Sequence, residues 1–373
     1  MDIRSSAVDL TDEERDRFLT AIILLKNEPA PAAPVGVSVF DQFVALHQAA
    51  MAVVPPGAPP GQTINYGHWS IGFCAWHRQY LRAFERALQR MVPGVTLPYW
   101  DWTDHAGAST RLFVDSFLGS LRTGQPAPLT DSAFRFPLAE DERPAWWPPH
   151  ASPYLLRPEL AGRFGRQLHR GSEQITWPPP AALDQFMEQY VVEGPDGEHA
   201  FWYFWIFLEA GWVRLATGAR RVPTHNTAHG FIGGHMSLPS VSPNDPVFWL
   251  HHANVDRLWG NWQARRLAEV PGSEPRDHYP PADQGSPVNR ALSQPLSSTP
   301  AASPFNGTLS PLGHDIDDLM WPWISDTAGY DVNVHPRVRP LLPNFATEPA
   351  VTIHDVLNTS TIDPVGYRYA PPR

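Results

Sequence analysis

Helical spacing of apolar residues dominates this chain, and period-two alternation is nearly absent. Thr11 to Lys26 reads as a first helix, with Thr11 as its cap and Glu14 three residues on in capping-box position. From Val39 to Val53, Phe40, Phe43, Val44, Leu46 and Met51 recur at helical intervals, and the run Pro55-Pro56-Gly57-Ala58-Pro59-Pro60-Gly61 stops the pattern. Between Cys74 and Met91, Trp76, Tyr80, Leu81, Phe84 and Leu88 line one face against Arg and Gln on the other. Leu183 to Val192 and the very aromatic Ala200 to Leu215 read as further helices. Asp245 and Pro246 open a last strong one, running to about Leu267.

Between these stretches the chain is irregular. Leu97 to Trp102 reads as an aromatic turn, and residues 103–180 as mostly ordered loop rich in Pro and Gly. Residues 271–304 are rich in Pro, Ser and Ala and read as a surface excursion. The remainder reads as irregular chain with one short strand within Ala350 to Val356. No linker separates two cores and no repeat is visible, so residues 1–373 are expected to form a single, mainly α domain with long Pro-rich loops and little β.

Composition narrows the function. Hydrophobic content of 42% and charged content of 18% are ordinary for a globular chain. The net charge of -10, with no basic patch, argues against a nucleic-acid partner. Cys74 is the only cysteine, which excludes an internal disulfide and any multi-cysteine zinc or iron–sulfur site; it reads as a small buried apolar side chain. The N-terminus lacks a basic segment followed by an apolar run, and Ala21 to Leu25 is too short to span a bilayer. The expectation is a cytoplasmic chain as synthesised, without a membrane partner, whose export would need a carrier protein.

Among 16 histidines, six fall into two sets of three. His225 and His229 are four apart, which on a helix places both rings on one face. His252 sits in the Asp245–Leu267 helix, with Asp256 one turn on. Asp256 is either an outer acceptor for a metal-bound imidazole or a tie to an arginine on a neighbouring helix, with Arg78 as the candidate. His68 and His77 are nine apart, and His47 precedes them on its own helix. Histidine-only sites suit Zn, Cu, Fe or Ni. A catalytic zinc needs one site of three ligands plus water. Two apposed three-histidine sites instead suit a copper pair that binds dioxygen between the metals.

At these residues the chain resembles the tyrosinases, the type 3 copper oxidases whose wider family includes catechol oxidases and molluscan haemocyanins. One motif is similar to His68-x4-Phe73-x2-Trp76-His77-Arg78-x2-Leu81-x3-Glu85, and the other to Asp245-Pro246-x-Phe248-Trp249-x2-His252-x3-Asp256. The resemblance implies an antiparallel four-helix bundle around two copper ions, with dioxygen as co-substrate. It implies His47, His68 and His77 on one copper and His225, His229 and His252 on the other, with His251 a neighbour. Tyr367-Arg368-Tyr369 resembles a Tyr-x-Tyr pair that packs near an N-terminal arginine, for which Arg4 is the candidate; on that reading the chain stops where the catalytic domain does.

The implied reaction turns an o-diphenol into an o-quinone, preceded for a monophenol by ortho-hydroxylation. An o-aminophenol giving a quinone imine is the alternative substrate. In monophenolase relatives a glutamate and an asparagine hold a basic water; Glu209 and Asn226 occupy those places. For Glu209 the other reading is a buried carboxylate paired with Arg214 or Arg220. The loop 236–243 would shape access, and His229 or His252 would stack on the small phenolic substrate. His235 reads either as a substrate contact or as a satisfied surface histidine, and His105, His150, His169, His199, His278, His314, His335 and His354 as polar surface or loop residues. A copper-loading or export partner protein remains open. Competing classes are a haemocyanin-like oxygen carrier and a zinc hydrolase using His225 and His229, which leaves the first triad unexplained.

Overall fold

The computed structural model describes residues 1–34, 37–54, 63–131, 168–172, 200–215, 218–221 and 224–279, with Pro56, Phe134 and short stretches between 316 and 371. The expected helix Leu183–Val192 and most of the 271–304 excursion lie outside the described residues.

Six helices carry the architecture: α1 (Asp12–Asn27), α2 (Val39–Ala50), α3 (Phe73–Met91), α4 (Ala200–Ala210), α5 (His225–Ile232) and α6 (Val247–Glu269). Local chemistry explains their starts. Thr11 caps α1 and Ser38 caps α2, each in a reciprocal capping box, with Glu14 and Asp41 at the third position. Asp41 also accepts from the buried Lys26 at 2.7 Å and so joins α1 to α2. α3 packs on α6 and on α1, and α4 contacts both α3 and α5. Aromatic rings fill the space between α2, α3 and α6: Phe84 stacks on Trp249 at 3.4 Å, and Phe40 and Phe43 meet the same indole edge-on.

Strands are short and paired in twos. β1 (Asp2–Arg4) runs parallel to β4 (Tyr367–Tyr369), bringing the two ends of the chain together. The expected continuous helix to Leu215 is interrupted. Gly211, at φ +73°, ends α4, and an antiparallel hairpin follows from β2 (Trp212–Leu215) and β3 (Gly218–Arg221). The strand expected within Ala350–Val356 is instead one helical turn, Ile353–Val356, because Thr352 and Asp355 form another capping box. α2 stops at Ala50, and Val53–Val54 pairs with Asp331–Val332. Gly233 and Gly234 close α5 at positive φ, where a Cβ would overlap the carbonyls of Gly171 and His169. That contact seats the 168–172 segment against the end of the helix bearing His229.

A buried polar cluster locks this frame. Asp256 of α6 accepts from Arg78 of α3 at 2.5 Å, from Arg4 at 3.1 Å, and from the hydroxyls of Tyr367 and Tyr369 at 2.5 and 2.6 Å. Arg4 lies flat on the Tyr367 ring at 3.7 Å and also pairs with Glu85. Thus Arg78 is the partner of Asp256, and Arg4 is the arginine of the Tyr-x-Tyr pair.

Candidate dinuclear metal centre

Five of the six expected histidines sit on four helices: His47 on α2, His77 on α3, His225 and His229 on α5, and His252 on α6. His68 lies on the loop before α3, where Asn65 Oδ1 accepts the N–H groups of Gly67 and His68. Two clusters of ligand atoms result, His47 with His68 and His77, and His225 with His229, His251 and His252. They face each other: His77 stacks on His252 with centroids 4.3 Å apart.

The protonation pattern tests whether this donor set fits copper. His77 Nδ1 is 2.9 Å from the Phe73 carbonyl, His229 Nδ1 is 2.8 Å from the Met236 carbonyl, and His225 Nδ1 is 3.3 Å from the Glu209 carbonyl. A carbonyl only accepts, so each of these rings carries its proton on Nδ1 and a lone pair on Nε2. His225 and His229 therefore oppose two lone pairs across 3.1 Å, with His252 Nε2 3.2 and 3.3 Å away. Such an arrangement is repulsive unless a cation lies among the nitrogens. Metal bonds of about 2.0–2.1 Å to imidazole would place ligand nitrogens about 3.3–3.6 Å apart. In the first cluster His47 and His68 Nε2 are 3.1 Å apart, and buried His77 Nε2 has no hydrogen-bond partner.

Burial favours the neutral form these ligands need. It holds His47, His77, His225 and His252 well below the ordinary histidine range, reinforced by the neighbouring imidazoles, and pushes His229 down to about 3. A buried, all-imidazole donor set of this kind fits copper.

The second cluster has a fourth histidine, and the tautomers separate it from the rest. Trp102 Nε1, a donor only, gives its hydrogen to His251 Nδ1 at 3.1 Å. His251 in its neutral form must then carry its proton on Nε2, leaving no lone pair there for a metal. Its ring stacks on His225 at 4.9 Å. The sequence shows the run ending in Trp102, but not that it selects between adjacent histidines.

Glu209 and Asn226 both lie at His225. Asn226 Oδ1 is 2.9 Å from His225 Nδ1. Glu209 is 1% exposed; its carboxylate accepts the Trp69 N–H at 2.8 Å and the Trp205 indole N–H at 2.6 Å. Cys74 is buried, as expected, and burial pushes its thiol well up. Two histidines differ from expectation. His235 is buried, accepts the His169 N–H at 2.9 Å and is pushed down to about 4 by desolvation. His278 is buried against Ser273 at 2.7 Å. His278 is held by a short-range turn and His235 by a segment 66 residues away in sequence, and periodicity reveals neither.

Two facing histidine triads on a mainly helical frame define a type 3 copper protein. The family profile described as the common central domain of tyrosinase matches residues 37–265, which include all six histidines, and the chain belongs to the tyrosinase family. It is a copper-dependent polyphenol oxidase that uses dioxygen. It is 33% identical over 294 residues to grixazone synthase of Streptomyces griseus, covering 75% of this chain and 87% of that protein. It is 31% identical over 323 residues to a tyrosinase of Streptomyces lincolnensis, covering 87% and 93%. Among solved structures, a polyphenol oxidase of Thermothelomyces thermophila shares the fold, with a TM-score of 0.57 at 21% identity over 100% of this chain and 89% of that one.

Proposed function

We propose that this oxidase converts o-diphenols to o-quinones and first hydroxylates monophenols at the ortho position. His47, His68 and His77 hold one copper, and His225, His229 and His252 the other. The observation that carries this reading is the pair of facing triads, in which His77, His225 and His229 keep their proton on Nδ1 and turn Nε2 inward. Bound copper supplies dioxygen binding and the electron transfer that oxidises the phenol.

The chain's own residues do the rest. In this reading Glu209 and Asn226 hold a water that takes the phenol proton; the main-chain carbonyl of one and the side-chain oxygen of the other lie at His225 Nδ1. Asn226 uses its oxygen on His225, which leaves its amide N–H groups to bind that water. Both faces of the His252 ring are taken, by His77 at 4.3 Å and Phe248 at 4.1 Å. His229 is only partly buried and is the ring on which a substrate stacks. Leu238, 55% exposed on the 236–243 loop, borders the approach.

No described helix is long and apolar enough to cross a membrane. The pairing of β1 with β4 supports treating residues 1–373 as one catalytic domain. Synthesis in the cytoplasm, with a partner protein for copper loading or export, completes the reading. Copper-loaded protein in air, assayed on a monophenol, a catechol and an o-aminophenol, tests it. The expected result is quinone from catechol and, after a lag, from the monophenol. Product from the o-aminophenol alone would move the substrate to that class, and no product from any of the three would refute the reading.

A further inference from the structure

We propose that Glu209, clamped by the Trp205 indole, is a positioning residue that ties the two halves of the copper centre together. The inference rests on the assignment of the six histidines to two coppers. Glu209 is the penultimate residue of α4, and it meets both triads at once. Its main-chain carbonyl lies 3.3 Å from Nδ1 of His225, a ligand of the second copper. Its carboxylate oxygen Oε1 lies 3.5 Å from Nδ1 of His68, a ligand of the first. The two rings it touches are themselves neighbours across the centre, with centroids 6.1 Å apart.

His68 needs such support more than its partners do. It alone of the six is not on a helix, so no helical hydrogen bonds fix its main chain. The next residue, Trp69, sits at φ +53°, a region that bulky side chains rarely adopt. Its N–H donates to Glu209 Oε1 at 2.8 Å, which holds the strained peptide in place. The same oxygen therefore holds the turn that follows His68 and lies beside the His68 ring. The other oxygen, Oε2, accepts the Trp205 indole N–H at 2.6 Å, one helical turn back on α4. That bond prevents the carboxylate from rotating away from His68. Trp205 is 2% exposed, and it acts through Glu209.

Two variants test the tie. Trp205→Phe keeps an aromatic ring and removes the N–H. Glu209→Gln keeps an acceptor for Trp205 but turns an amide NH2 toward the Trp69 N–H, where a donor already points. The measurement is stepwise Zn(II) titration of metal-free protein by calorimetry, with circular dichroism to establish folding. Wild type should bind two ions, and that result tests the two-site reading itself. In folded variants, one ion should bind about 10–100-fold more weakly while the other stays within about threefold of wild type. Should Trp205→Phe fail to fold, Glu209→Gln supplies the same readout. Wild-type affinity for both ions in either folded variant, or equal weakening of both, would overturn the proposal.

Discussion

Replacing His252 by alanine will leave one copper per chain and remove oxidation of both catechol and monophenol, while His251→Ala will keep two coppers and a reduced rate. The two residues are adjacent, both buried on α6, and both within reach of His225 and His229. Their surroundings differ. Nε2 of His252 stands 3.2 Å from His225 Nε2, which turns a lone pair inward. Trp102 fixes the proton of His251 on Nε2, the atom a metal would need. Losing His252 leaves two ligands on the second copper, and activity should fall by at least about 10³-fold, roughly 4 kcal/mol of barrier. Losing His251 removes the ring stacked on His225 and leaves the Trp102 N–H buried without its acceptor, a cost of about 1–3 kcal/mol in stability. The rate should then fall about tenfold through looser placement of His225. Copper content by elemental analysis and initial rates on catechol check both. The reverse ranking would show that the tautomer argument selects the wrong histidine.

Asp256→Ala will destabilise the fold by about 3–5 kcal/mol, because it removes one partner from a buried ionic cluster. Arg78 loses its only acidic partner among the described residues, and the hydroxyls of Tyr367 and Tyr369 lose their acceptor. Arg4 keeps Glu85. The unfolding midpoint should drop by roughly 10 °C at about 2–4 °C per kcal/mol. Copper affinity should fall as well, since the Asp256–Arg78 bond registers the helix of His252 against that of His77. The pH dependence has a definite sign. Burial alone would raise the Asp256 carboxyl, but Arg78 and Arg4 outweigh it and hold the carboxyl below its usual range. A depressed carboxyl stabilises the fold above its unfolded value of about 3.9 and loses that contribution as pH falls through the folded value. The gap between wild type and Asp256→Asn should thus be constant from pH 5 to about 8 and close below about pH 4 in denaturation curves. A gap that persists in acid, or one below about 1 kcal/mol at neutral pH, would contradict the account.

Much of this was legible wherever one local rule decided the outcome. The capping boxes at Thr11 and Ser38 and the uninterrupted period through α3 and α6 gave helices within a few residues of those observed. The two histidine clusters were legible because their spacings and flanking residues were distinctive together, although His68 lies on a loop that no periodicity predicts. Residues 200–215 misled because a continuous apolar run does not separate helix from strand, and Gly211 alone decides where one becomes the other. Thr352 misled in the opposite sense, since a four-residue turn is too short for a period. Contacts across long stretches of sequence were the least legible. Glu209 reaches Trp69, 140 residues away, and nothing in the α4 sequence names that partner. His235 was taken for a surface residue because its burial depends on the distant 168–172 segment.

Diffraction from copper-loaded crystals at the copper absorption edge tests the central claim most directly. The account predicts two anomalous peaks per chain, one among His47, His68 and His77 and the other among His225, His229 and His252, with His251 not bonded to either copper. A single peak, or a peak bonded to His251 in place of His252, would contradict it.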